Sequence, residues 1–265
     1  MKNKKELGQH WLKNRAILDE IADLTFDKNA TFVAKLTGEE YKKAKLCVEI
    51  GPGLGTLTSS LLKRFDKVIA VEFDKRLAEN LPKSFPGTNL KVVNADILKF
   101  DFSTISEKYV VAGNIPYYIT NPIIVRLLTL ENLPERIVLL IQKEVAERIV
   151  DDKETMLSLF VKNRARAWAG PVVKAKEFTP PPKVHSQVII LEPRKKPQVS
   201  NEVLKVIKIG FSAPRKKLVH NLAKIKPQKE LVKILKENGI DENMRPGDLS
   251  LQDWQKLYQS LNRGR

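Results

Sequence analysis

The chain has 265 residues, 42% of them hydrophobic, enough for one α/β domain of ordinary size plus a small appendage, which excludes a disordered or fibrous protein. Its 47 Lys and Arg against 31 Asp and Glu leave a formal charge of +16, a surface that attracts polyanions. The lone Cys47 excludes an intramolecular disulfide, and His10, His185 and His220 are too scattered for a zinc site, so a reducing compartment and no metal are expected.

Met1 to Lys5 is basic, but the polar run Glu6 to Asn14 follows where a signal peptide needs an apolar stretch, so a soluble cytoplasmic protein is expected. Asn14 is placed to cap an amphipathic helix carrying Ile17, Ile21 and Leu24 at helical spacing. Residues 31 to 44 form a polar insertion. Strands are predicted at Leu46 to Ile50, Val68 to Val71 and Leu90 to Val93, separated by helical stretches at Thr56 to Phe65 and Lys75 to Leu81. That alternation implies βαβ units and a parallel sheet. It continues through a strand at Tyr109 to Ala112, a helix from about Pro122 to Leu130, a strand at Ile137 to Ile141, a helix from Lys143, and a strand at Val188 to Leu191 expected to close the sheet.

Glu192 to Pro197 has the composition of a linker, two prolines and three basic residues, and sets a boundary between a Rossmann-like α/β domain over 1–193 and a helical domain over 194–265. In the latter, Val203, Val206, Ile207 and Gly210, then Leu231, Ile234 and Leu235, then Leu249, Trp254, Leu257 and Leu261 recur at helical intervals. Residues 193–265 hold 17 basic against 7 acidic side chains, so the denser basic surface lies there. The absence of a repeat gives no reason to expect more than a monomer.

Glu49-Ile50-Gly51-Pro52-Gly53-Leu54-Gly55 falls where the first strand turns into a helix, and glycines there let backbone approach a nucleotide-like ligand. The spacing is G-x-G-x-G, whereas dinucleotide enzymes use G-x-G-x-x-G to seat a pyrophosphate. S-adenosylmethionine, which has no phosphate, fits this difference. Glu72 ends the second strand, where a carboxylate accepts from ribose hydroxyls, and Asp96 ends the third, where it can accept from an adenine amine.

Asn114-Ile115-Pro116-Tyr117 directly follows the fourth strand. An exocyclic adenine amine is a poor nucleophile because its lone pair is delocalised into the ring, so a site that methylates it must present acceptors to its hydrogens. The Asn114 side-chain oxygen and the Ile115 carbonyl, stiffened by Pro116, can do so. Tyr117 is expected to stack on the target base, with Phe178, in the rigid Phe178-Thr179-Pro180-Pro181-Pro182 loop, as a second aromatic wall.

These motifs together resemble the small-subunit ribosomal RNA adenine dimethyltransferases. The resemblance covers nearly the whole chain: Gly8-Gln9-His10-Trp11-Leu12, Glu49 to Gly55, Asn114 to Thr120, Phe178 to Val184, and Gly210-Phe211-Ser212 with Arg215-Lys216-Lys217-Leu218. It implies an S-adenosylmethionine-dependent methyltransferase domain with a small C-terminal helical domain. It also implies cofactor contacts from His10, Leu12, Gly51, Glu72, Asp96 and Asn114 with Gln9 nearby, to which the glycine run adds Gly53; the basic Arg215, Lys216 and Lys217 are expected to contact RNA. The implied substrate is a pair of adjacent adenosines near the 3′ end of 16S rRNA in the assembling small subunit. Trp11 stands where the family usually has Phe, and His185 where it usually has Asp. The alternatives are a 23S rRNA adenine methyltransferase of the antibiotic-resistance type, sharing the N-I-P-Y motif, and a non-catalytic assembly factor.

Overall fold

The computed structural model describes residues 10–26 and 45–263; Gln9 and the 31–44 insertion lie outside them. The chain separates into two compact units, one made of the described residues up to Ala146 with Arg166–Pro193, the other of Glu147–Ala165 with the described residues from Arg194 onward.

The first unit is built on a sheet of seven strands among the described residues. After the short β1 (Trp11–Leu12) and helix α1 (Arg15–Phe26) come β2 (Leu46–Ile50), the one-turn α2 (Thr58–Leu61), β3 (Lys67–Glu72), α3 (Lys75–Asn80), β4 (Leu90–Asn94), β5 (Tyr109–Asn114), α4 (Thr120–Leu127), β6 (Ile137–Gln142) and α5 (Lys143–Val150), which runs across the unit boundary. Helix α6 (Met156–Arg164), β7 (Ala165–Val173), β8 (Phe178–Thr179) and β9 (Ser186–Pro193) follow. Asn14 caps α1 as expected, its Oδ1 accepting from the amides of Ala16 (3.1 Å) and Ile17 (3.4 Å).

The sheet order is β4-β3-β2-β5-β6-β9-β7, with β4 to β6 parallel and β9 antiparallel to β6. Strands β2 and β6 are apolar over almost their whole length and buried along it, as strands covered on both faces must be. The expected closing strand is internal: β9 lies between β6 and the edge strand β7, which was not predicted from the sequence. Gly170 and Pro171 interrupt β7, and a proline is tolerated at a sheet edge because it forfeits no ladder bond there.

In the second unit α6 joins α7 (Asn201–Gly210), α8 (Leu218–Leu222), α9 (Gln228–Glu237) and α10 (Leu251–Leu261) around one apolar cluster centred on the fully buried Trp254. Leu159 of α6 and the predicted Val203, Ile207, Leu231, Leu235 and Leu257 all belong to it.

Candidate active site

The order of β4, β3, β2 and β5 reverses direction of chain progress at β2, and the parallel register brings their carboxyl ends level: Ile50 beside Val71 and Gly113, Glu72 beside Asn94. Such a switch point leaves a crevice beyond the strand ends. His10, Gly51, Gly53, Glu72, Asp96 and Asn114, six positions expected at a cofactor, all line one cleft there, with Ile115 and Tyr117.

The glycine loop owes its shape to left-handed backbone, φ +63° at Gly51 and +58° at Gly53, which residues with a Cβ adopt only with strain. A Cβ at Gly53 would also stand 3.1 Å from the indole nitrogen of Trp11. Glu72 ties this loop to β3: Oε2 accepts from the Gly53 amide (3.0 Å) and Oε1 from the Asp74 amide (2.8 Å). Each oxygen keeps a lone pair for a further donor. Burial raises the Glu72 pKa against the pull of these amides. Asp96 uses Oδ1 to accept from Leu98 N (2.9 Å).

Glu49 also lines the cleft, a residue to which the sequence reading gave no role. It is 1% exposed, and its Oε2 is buried with no hydrogen-bond partner among the described residues. Burial pushes its pKa up to about 8; Thr58 pulls it down and the neighbouring charge of Glu72 adds to the rise. The signal was present in the sequence: an acid inside the apolar run of β2 is expensive unless something compensates it.

Asn114 ends β5 at half-burial, and its Nδ2 donates to the carbonyl of His10 at 3.0 Å. Since a carbonyl oxygen only accepts, the amide is turned with Oδ1 away from that contact, and no donor among the described residues reaches Oδ1. Tyr117 is held on two sides: its hydroxyl shares a hydrogen bond with Ser186 Oγ (2.7 Å) and its ring stacks on His10, centroids 6.0 Å apart. Burial raises its pKa, and the Ser186 bond opposes that shift.

Leu12 and Phe178 are not part of the cleft lining. They face each other across the antiparallel β1–β8 ribbon and enter the core at 0% and 3% exposure. Alternation along β1 puts Leu12 inward and Trp11 on the other face, where it lines the cleft. An aromatic wall from Phe178 is therefore not offered by this arrangement. The same ribbon brings His10 against the proline loop, its Nδ1 donating to the Pro180 carbonyl at 2.8 Å. The sequence reading also missed Phe73 and Tyr118, both exposed and both lining the cleft. Arg215, Lys216 and Lys217 are exposed in the segment between α7 and α8 of the second unit.

Residues 1–263 match the family described as ribosomal RNA adenine dimethylase. The chain belongs to that family. The ribosomal RNA small subunit methyltransferase A of Mycoplasma capricolum is 33% identical, with 97% of each chain covered, and that of Rippkaea orientalis is 35% identical over 95% of this chain and 94% of its own. Among solved structures, a dimethyladenosine transferase from Plasmodium falciparum superposes with a TM-score of 0.75 at 28% identity, covering 96% of this chain and 98% of its own. The 23S rRNA methyltransferase ErmE reaches 0.74 at 24% identity, covering 96% and 100%, a likeness of fold. A ribosomal RNA adenine dimethylase is an S-adenosylmethionine-dependent methyltransferase of Rossmann-like α/β fold, and the cleft suits that donor. Glu72 and Asp96 would repel a pyrophosphate, and the buried Glu49 oxygen without a partner among the described residues suits a positive or hydrogen-bearing group.

Proposed function

We propose that this site dimethylates the N6 amines of two adjacent adenosines near the 3′ end of small-subunit rRNA, in the cytoplasm, during assembly of the subunit. The curated relatives' names support the small subunit as substrate. S-adenosylmethionine supplies an electrophilic methyl group on a sulfonium. Gly51 and Gly53 admit it close to the backbone, Glu72 accepts from its ribose hydroxyls through its remaining lone pairs, Asp96 accepts from its adenine amine, and Phe73 with Ile97 offers that ring apolar contact.

The observation that carries the reading is the clamped amide. With Nδ2 committed to His10, Asn114 keeps Oδ1 as an acceptor, and Ile115, the next residue lining the cleft, brings its carbonyl as a second. Two acceptors facing the amine hold its hydrogens, both before the first transfer and the remaining one before the second, localise its lone pair and share the positive charge that develops as it attacks, the proton then passing to solvent. Tyr117 supplies a ring edge or face to the target base within the cleft. The entering adenosine leaves its stack to reach these groups, and Arg215, Lys216 and Lys217 bind phosphates.

The test is to offer methyl-labelled cofactor with small-subunit particles, large-subunit RNA and duplex DNA. Label should enter only the particles, as dimethyladenosine. Replacing Asn114 by Ala should lower turnover at least about a hundredfold, the scale of removing one transition-state hydrogen bond, while RNA affinity stays nearly intact. Unchanged turnover refutes the acceptor role.

A further inference from the structure

Two large exposed aromatics stand on the cleft, Phe73 at 65% and Tyr118 at 64% exposure. They lie on opposite sides of the glycine loop, because Phe73 follows β3 and Tyr118 follows β5, and β2 runs between those strands. Phe73 is beside Glu72, on the side assigned to the cofactor's nucleoside. Tyr118 is on the side of Asn114, in the short 3-10 turn Tyr117–Ile119.

Tyr118 and Tyr117 are neighbours in sequence with opposite fates. Tyr117 is fixed by Ser186 and His10, and forms a wall. The Tyr118 side chain makes no hydrogen bond among the described residues, and an aromatic ring two-thirds exposed at a cleft is a rim group that a bound base would cover. When one nucleotide is drawn out of a strand, its neighbour is also deprived of a stacking partner. An exposed ring at the mouth of the cleft replaces that partner, and does so for any base because every base has a π-face.

We propose that Tyr118 is the stacking platform for the nucleotide adjacent to the target adenosine. This rests on the base-methylating reading of the cleft.

The experiment uses small-subunit particles reconstituted from rRNA that is intact or abasic immediately 5′ or 3′ of one target adenosine, with methylation read at that adenosine alone. Methyl transfer is measured with the wild type, Tyr118→Ala and Tyr118→Phe, together with cofactor affinity and thermal midpoint. Tyr118→Ala should raise KM for intact particles roughly ten- to hundredfold, leaving kcat, cofactor affinity and midpoint unchanged, and Tyr118→Phe should match the wild type. An abasic residue on one side should cost the wild type a similar factor and cost Tyr118→Ala nothing more, the non-additivity expected of direct partners. Wild-type KM in Tyr118→Ala, additive losses on both sides, failure of Tyr118→Phe, or a lowered midpoint or cofactor affinity overturns the platform role. A wild-type enzyme inert on intact particles overturns instead the functional reading on which it rests.

Discussion

Glu49 is expected to make cofactor binding a proton-linked event. With a pKa of about 8 the carboxyl is neutral at pH 7 in about nine molecules of ten. A sulfonium or ammonium held near Oε2, which has no partner among the described residues, would stabilise the ionised form, so binding would lower the pKa and expel the proton. The sign follows: below pH 8 the affinity for S-adenosylmethionine rises with pH, by up to about tenfold per unit, and it levels off above. The ligand's own α-amine, with an ordinary pKa of about 7.7–8, titrates in the same window, so Glu49→Gln is the reference. Between pH 6 and pH 8 the ionised fraction of Glu49 rises about fiftyfold, and the ratio of the variant's Kd to the wild type's should rise by up to that factor.

Calorimetry in buffers of different ionisation enthalpy counts the protons: at pH 7 the wild type should release about 0.9 more than Glu49→Gln. Without ligand the same group acts on stability in the opposite sense. Its folded pKa lies above the ordinary 4.5, so the unfolded chain loses the proton first and stability falls as pH rises from about 4.5 to about 8. Equal proton release by the two proteins, with a Kd ratio flat from pH 6 to 8, would refute the linkage.

Two further outcomes are expected. A Cβ on Gly210 would lie 2.2 Å from Cη2 of the fully buried Trp254, so Gly210→Ala should overpack the helical core and cost about 1–3 kcal/mol; an unchanged unfolding midpoint would contradict that packing. Replacing Arg215, Lys216 and Lys217 together by Gln should weaken binding to ribosomal RNA and flatten the plot of log affinity against log salt by about 0.7–0.9 for each phosphate left without its cation. A slope equal to the wild type's would remove these residues from the RNA-binding surface.

The parts legible in the sequence were those in which local chemistry dictates backbone. Apolar runs at 46–50, 109–112 and 137–141 could bury only as central strands; the glycines and Asn114 then fell at the carboxyl ends of the first two, and Glu72 and Asp96 at those of the neighbouring β3 and β4. What escaped depends on pairings between distant segments. The pairing of Trp11–Leu12 with Phe178–Thr179 spans more than 160 residues, and it sets Leu12 against Phe178 in the core and leaves Trp11 lining the cleft. Strand β7 escaped because Gly170 and Pro171 are poor strand formers, and only pairing with β9 draws them into a sheet edge.

That long-range ribbon also explains how a neutral amide can be held with its oxygen left free to accept. An asparagine side chain has a donor end and an acceptor end of nearly the same shape, and a catalytic site needs only one of them turned to the amine. Here the choice is made by the residue preceding β1: His10 offers its carbonyl to Nδ2 of Asn114, lays its ring on Tyr117 and donates from Nδ1 to Pro180. Trp11 beside it packs over the position where Gly53 lacks a side chain. One short segment therefore touches the glycine loop, the Asn114 amide and the Tyr117 ring. An aspartate at position 114 would turn an oxygen toward the His10 carbonyl instead of a donor, and the repulsion would release the clamp even though acceptors remain.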